Sequence, residues 1–452
     1  MIHRVLSVTA LTVRAAARSR MIHSLAVLLF LVLLVIPLTV KADGTLTGEI
    51  QLVLHLTLSL VGIILGIATL WAACAGISRE IEDRRIRLVA VKPVRKGEIW
   101  FGKWLGLAIL NAIFLVAVGF ATWAYLSLKV PREKPGAEAG SGLHTRVLVG
   151  QQRVLPQPED LGDAVQVRLD QVLARLSGEG DTVTDYDRGR ILAFIQRQVL
   201  SERAVLNGGD TKTWTFQVPR TSRDAKGASV RVNVSPVSGI AVPEKGYWRI
   251  QADGASHEID GVGLARTQGR IEVPFVLSDT DVQVIYTHPP GEQSILFDWE
   301  RPIELLIPEK GFPENLSRAL LLLFCRLAVL SALGLAAGTL FSFPVATFFS
   351  MAVLLLSFTG HYFIVSEKTD DRSPIVAVQH EESWLYEVGE ALIVRLEAIA
   401  GPALRSNPFA DLSDGILITG GALGEAAGLM LLYVAILGVI SSLLLNRREL
   451  AA

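Results

Sequence analysis

Six long apolar stretches punctuate the chain, at about 21–40, 52–76, 104–128, 319–341, 343–365 and 418–445. Each is long enough to cross a bilayer as a helix, which takes roughly 20 residues. Uninterrupted apolar length, not periodicity, carries that assignment. Lipid offers no hydrogen bonds to an open backbone, so runs of this length are expected to be helical. Between the third and fourth runs the pattern changes. Segment 129–318 opens with a linker from Pro131 to Gly142, rich in Pro, Gly and charge. Two helical patterns follow. Leu161, Val165, Leu169, Val172, Leu173 and Leu176 share one face near 159–176, and Ile191, Phe194, Ile195, Val199 and Leu200 share one near 187–206. After Asn207-Gly208-Gly209 come seven short alternating runs, at 214–218, 230–234, 247–250, 271–273, 282–286, 295–297 and 303–306. Their Pro, Gly and Asp separators predict a β-sandwich or jelly roll over 212–307. The expected fold class is an α-helical membrane protein with six spans, three plus three, and an outer, mainly β domain preceded by helices.

Composition narrows the class without changing it. Half of the 452 residues are hydrophobic, 19% are charged, and mean hydropathy is +0.42. That excludes disordered, fibrous and ordinary cytosolic chains. A net charge of −1 gives no support to nucleic-acid binding. Cys74 and Cys325 both lie in apolar runs, far apart in sequence, which indicates neither a disulfide framework nor a zinc site. Val40-Lys41-Ala42 imitates a signal-peptide cleavage site. The preceding basic region and the apolar core are both longer than such peptides have, so the first run is read as a span.

Charge orients the bundle. Arg4, Arg14, Arg18 and Arg20 precede the first span. Arg79, Arg84, Arg85, Arg87, Lys92, Arg95, Lys96 and Lys103 lie between spans two and three, and Arg447 and Arg448 follow the last. By the positive-inside rule both termini and the 77–103 loop face the cytoplasm, while 129–318 and 366–417 face outward, in a plasma or inner membrane. Within 366–417, the face formed by Trp384, Leu385, Val388, Leu392, Leu396 and Ile399 is too polar overall to span. It is expected to lie on the outer surface.

The 77–103 loop carries the candidate chemistry. A short charged helix is expected from Ile77 to Val91. Pro93 then forces Lys92 out of helical geometry, and a second helix leads into span three. The order Glu80, Glu82, Arg84, Pro93, Arg95, Gly102-Lys103, Gly106 resembles the loop of ABC-2-type transporter permeases. Arg4, Arg14 and Arg18 fall in a narrow arc opposite Val5, Leu6 and Val13, which resembles that family's amphipathic elbow helix over residues 1–20. Asn407-Pro408-Phe409 and Arg447-Arg448-Glu449-Leu450 are similar to segments flanking the family's last span. The resemblance covers the membrane and cytoplasmic residues and not the large insertion after span three. It implies a coupling helix that docks into a separate ATP-binding subunit, with Glu80, Glu82, Asp83, Arg84, Arg85, Pro93 and Arg95 as the coupling residues. It also implies a second permease copy, with ATP and magnesium held by the partner and no catalytic residue or cofactor in this chain.

Two fragments imitate nucleotide motifs. Gly97 to Lys103 matches GxxxxGK, but Trp104 follows where a magnesium-binding Ser or Thr is needed, and Leu176-Ser-Gly-Glu179 lies in the outer segment. Arg326 and Glu425 lie well inside apolar runs at comparable depths. They are candidates for an intramembrane ion pair or for lining a substrate path. Two other readings stand beside the permease. One is a lipopolysaccharide-exporter-type permease, which also places a jelly roll between two sets of three spans. The other is a membrane-anchored receptor or assembly factor that transports nothing.

Overall fold

The structure is a computed structural model describing residues 2–41, 46–82, 95–129, 147–179, 185–219, 227–236, 246–252, 255–260, 269–273, 281–298, 301–355 and 408–447. It divides into a helical unit (Met1–Gly150, Gly311–Thr369 and Trp384–Ala452) and a β-rich unit centred on Gln151–Lys310.

The helical unit starts with α1 (Ile2–Ala17) and α2 (Arg20–Thr39). Ser19 caps α2, its hydroxyl accepting from the Met21 N–H. Then come α3 (Leu46–Glu82) and α4 (Lys96–Lys129), which flank the 83–94 loop. After the β-rich unit follow α7 (Phe312–Leu340), α8 (Phe343–Leu355), α9 (Pro408–Ser413) and α10 (Gly420–Arg447). Helices α2, α3, α4, α7 and α10 are each long and apolar enough to cross a membrane. The expected span 343–365 appears as α8 up to Leu355, and its remainder lies outside the described residues, as does segment 381–400.

One expectation is corrected. Ile77 does not begin a separate surface helix. It is buried inside α3, which runs unbroken for 37 residues. No proline interrupts Ala73 to Glu82, and Ser78 turns its hydroxyl to the Gly338 carbonyl at 3.1 Å instead of competing with the helix. At 1.5 Å per residue α3 reaches ~55 Å, against a bilayer core of about 30 Å. Asp83, Arg84, Arg85 and Pro93 lie outside the described residues.

Helix α7 is the axis of the bundle. It packs against α3, α4 and α10, and its span window is 72% buried, against 11% for α2 and 22% for α10. Small residues explain the approach to α3. A Cβ on Gly334 would lie 2.7 Å from Ala73 Cβ, and one on Gly338 would lie 2.9 Å from the Cys74 carbonyl oxygen. Helices in lipid associate through such close backbone packing, because lipid supplies no hydrophobic drive between them. The flanks of α2 and α10 display Leu28, Phe30, Leu31, Leu432, Val439 and Leu443 outward, as lipid-facing surfaces do.

In the β-rich unit, α5 (Gly162–Glu179) and α6 (Asp185–Ala204) form a hairpin around Val165, Leu169, Leu176, Ile191, Ile195 and Val199. Eleven described strands follow the chain: β1 (Val149–Val154), β2 (Val205–Leu206), β3 (Thr211–Gln217), β4 (Ser229–Val232), β5 (Val234–Pro236), β6 (Tyr247–Ala252), β7 (Ala255–Asp260), β8 (Gly269–Glu272), β9 (Asp281–Thr287), β10 (Ile295–Phe297) and β11 (Ile303–Gly311). They form sheets ordered β1-β11-β4-β8, β2-β10-β5 and β3-β9-β6-β7. All seven expected runs are strands, and the three sheets share one core built on Phe216, Trp248, Tyr286, Phe297, Val230 and Leu305. Strand alternation sends Ile303, Leu305 and Ile307 into that core, while Glu304 points to the opposite face of its sheet, 3.3 Å from Arg153 and 3.6 Å from Arg231.

Candidate functional site

Several described side chains that carry charge near the 83–94 loop act on helix ends or helix pairs. Helices α3 and α4 enter and leave that loop antiparallel, since Glu80 meets Lys103 while Thr69 meets Asn111, whose Oδ1 accepts the Thr69 hydroxyl at 2.9 Å. The Lys103 ammonium donates to Glu80 Oε1 at 2.5 Å and to the Gly76 carbonyl at 2.8 Å. Its side chain is 9% exposed and that of Glu80 36%, so the pair joins the two helices in a setting largely shielded from water.

Further contacts join helix ends around this pair. Glu98 is buried in the first turn of α4. It accepts from the Arg95 N–H at 3.1 Å, closing the turn as the acid of a capping box does, and lies 4.0 Å from Arg4 of α1. The Glu82 carboxylate accepts from the Phe343 N–H at 2.9 Å, at the start of α8. Lys96 donates to the Leu445 carbonyl at 2.6 Å, at the end of α10. Glu98 thus sits at the start of its own helix, Glu82 caps the start of α8 and Lys96 the end of α10, contacts that the dipoles of the capped helices favour. Arg79 stacks over the Phe343 ring at 4.4 Å and near Trp71 at 5.4 Å, tying α3 to α8 again.

Helix α1 is seated on α4 through two glycines. A Cβ on Gly102 would lie 2.6 Å from Val8, and one on Gly106 2.8 Å from Thr12; the Thr9 hydroxyl donates to the Gly102 carbonyl at 3.1 Å. Gly97 to Lys103 is thus helical throughout, with its lysine committed to Glu80 and not placed in a strand–loop–helix phosphate cradle.

Of the coupling residues expected from sequence, Glu80, Glu82 and Arg95 fall within the described residues. Glu80 and Glu82 make intramolecular contacts, and Arg95 is exposed at the start of α4. Sequence reasoning missed the roles of Lys103, Lys96 and Glu98. The available signal was that Glu80 and Lys103 lie on either side of one loop, on helices that must run antiparallel. Arg326 is half-buried on α7 and Glu425 is exposed on α10. The ion pairs of the described residues do not join these two.

The opposite end of the helical unit holds a second polar assembly. Asn315 is fully buried, donating through Nδ2 to the Ile416 carbonyl at 2.8 Å and accepting at Oδ1 from the Ile418 N–H at 2.9 Å. Arg318 donates to the Ile418 carbonyl at 2.8 Å, and Gln51 donates to Asp414 at 2.6 Å. This holds α9 between α3 and α7, with Phe409 against Gly62. Asn315 therefore serves as a clamp. Asn315→Ala leaves a buried N–H and a buried carbonyl unpaired, so a loss of about 2–5 kcal/mol is expected, read as a lowered melting midpoint of the purified chain. No protein-family model matches this chain, and no curated protein matches it.

Proposed function

We propose that this chain is the membrane subunit of an ATP-driven transporter of the ABC-2 type, working as an exporter beside a separate ATP-binding subunit and a second permease copy. In this reading six helices span the membrane, three on each side of the β-rich unit, with α8 continuing as the fifth. The termini and the 83–94 loop face the cytoplasm. The observation that carries the proposal is the bracing of both ends of that loop. Glu80–Lys103, Glu98, Lys96 and Glu82 fasten α3 and α4 to each other and to α1, α8 and α10. A partner pressing on the loop would displace these helix ends together, because packed helices transmit strain and do not absorb it. Arg84, Arg85, Arg95, Asp83 and Pro93 form the docking surface, while Glu80 and Glu82 act on it from behind as positioning residues.

The lipopolysaccharide-exporter-like reading has one observation in its favour: three antiparallel-paired sheets on a single core, inserted between the third and fourth spans. In that reading the β-rich unit is a jelly roll that receives an amphipathic substrate. Arg84→Glu with Arg85→Glu tests the docking surface common to both. The variant is expected to insert normally yet lose co-purification with the ATPase. Co-purification of the variant at wild-type yield overturns the docking surface, and a wild-type chain that brings down no ATPase overturns the proposal and favours a receptor or assembly factor.

A further inference from the structure

Helix α1 presents three faces. Val5, Val8, Thr9, Thr12 and Val13 turn toward α4, with Val8, Thr9 and Thr12 in direct contact with it. Ile2 and Leu6 are apolar and exposed. Arg4 and Arg14 share a third, solvent-accessible side with the exposed Leu11, and Arg18, in the turn that follows, and Arg20, at the start of α2, are exposed as well. Residues 2–41 hold no acidic side chain. The level of this arc is fixed by packing: Gly102 and Gly106, which seat α1, bracket the start of the apolar run of α4 at about residue 104. Arg20 opens α2, whose lipid-facing flank begins at Val27, about 10 Å further along at 1.5 Å per residue. Exposed apolar side chains beside arginines at that height are the signature of a helix lying in a membrane interface.

We infer that Arg14, Arg18 and Arg20 form a binding surface for anionic phospholipid headgroups, so that α1 anchors selectively to negatively charged bilayer. Each arginine near an anionic surface contributes about fivefold in affinity, so three together contribute about a hundredfold. Arg4 is set aside because it lies beside Glu98. The inference requires only that the chain sits in a membrane, so it stands or falls separately from the ATPase reading.

The purified full chain in neutral detergent is titrated with phosphatidylglycerol, with phosphatidylcholine and with soluble glycerol phosphate, following the melting midpoint. Phosphatidylglycerol is expected to raise the midpoint at concentrations where the other two do nothing. Arg14→Gln/Arg18→Gln/Arg20→Gln should need about a hundredfold more phosphatidylglycerol, while the corresponding triple lysine variant, which keeps the charge, should stay within about fivefold of wild type. Equal responses to phosphatidylglycerol and phosphatidylcholine overturn the inference, as do an equal response to glycerol phosphate, a glutamine triple titrating like wild type, or a lysine triple that no longer responds.

Discussion

Gly338→Leu is expected to destabilise the helical unit by about 3 kcal/mol or more, the upper range for forcing extra volume into a packed interior. The replacement has nowhere to go. Its first carbon already falls 2.9 Å from the Cys74 carbonyl and 3.0 Å from the Ser78 hydroxyl, and α3 lies behind both. Separating α3 from α7 also breaks the Ser78 bonds to the Gly338 and Phe341 carbonyls. Because α7 is the most buried helix of the bundle, its displacement reaches α4 and α10. Gly428→Ala is the control, since a Cβ there meets nothing within 4 Å. Melting of the purified variants should show a large drop for Gly338→Leu and none for Gly428→Ala.

Lys103→Met should cost about 1–3 kcal/mol and uncouple the two helices of the loop. Methionine keeps most of the unbranched apolar stem but leaves the Glu80 carboxylate and the Gly76 carbonyl without their donor. The penalty for stranding one member of a fully buried pair is about 3–5 kcal/mol. Glu80 is a third exposed and can turn to water, which lowers the figure. Adding Glu80→Gln should recover a large part of the loss, because the second change removes the stranded charge. A double-mutant cycle on melting midpoints, with co-purification of the proposed ATP-binding subunit measured alongside, separates the two effects. Under the proposed function, recovery of stability without recovery of co-purification marks the ion pair as a positioning element and not only as a staple.

Much of the fold was legible because length and alternation are strong signals. Seven strands and the α5–α6 hairpin follow from apolar spacing. The missed strands are those without such spacing. Ala255–Asp260 is mostly polar and is an edge strand, paired with β6 among the described residues. Val149–Val154 likewise sits at a sheet edge and buries Gln151, which no hydrophobic pattern announces. The unbroken course of α3 is hidden in the sequence because Arg79, Glu80 and Glu82 end its apolar run before its backbone ends. Long helices carry charge where they leave the lipid, and their backbones do not stop there. The bracing contacts were hidden for a different reason. Glu80, Glu82, Lys96, Glu98 and Lys103 are ordinary surface residues by type, and only the pairing of helices buries Glu98 and Lys103 and brings the others into contact with neighbouring helix ends.

The central claim is that the 83–94 loop receives an ATP-hydrolysing partner. A photo-crosslinking residue placed at Arg84 of the full chain, irradiated in native membranes, tests it most directly. The account predicts a single major adduct, containing a polypeptide with an intact phosphate-binding loop, that disappears in the Arg84→Glu/Arg85→Glu background when the probe is moved to Arg87. Adducts with extracytoplasmic proteins alone, or labelling of that position by a membrane-impermeant reagent in intact cells, would contradict it.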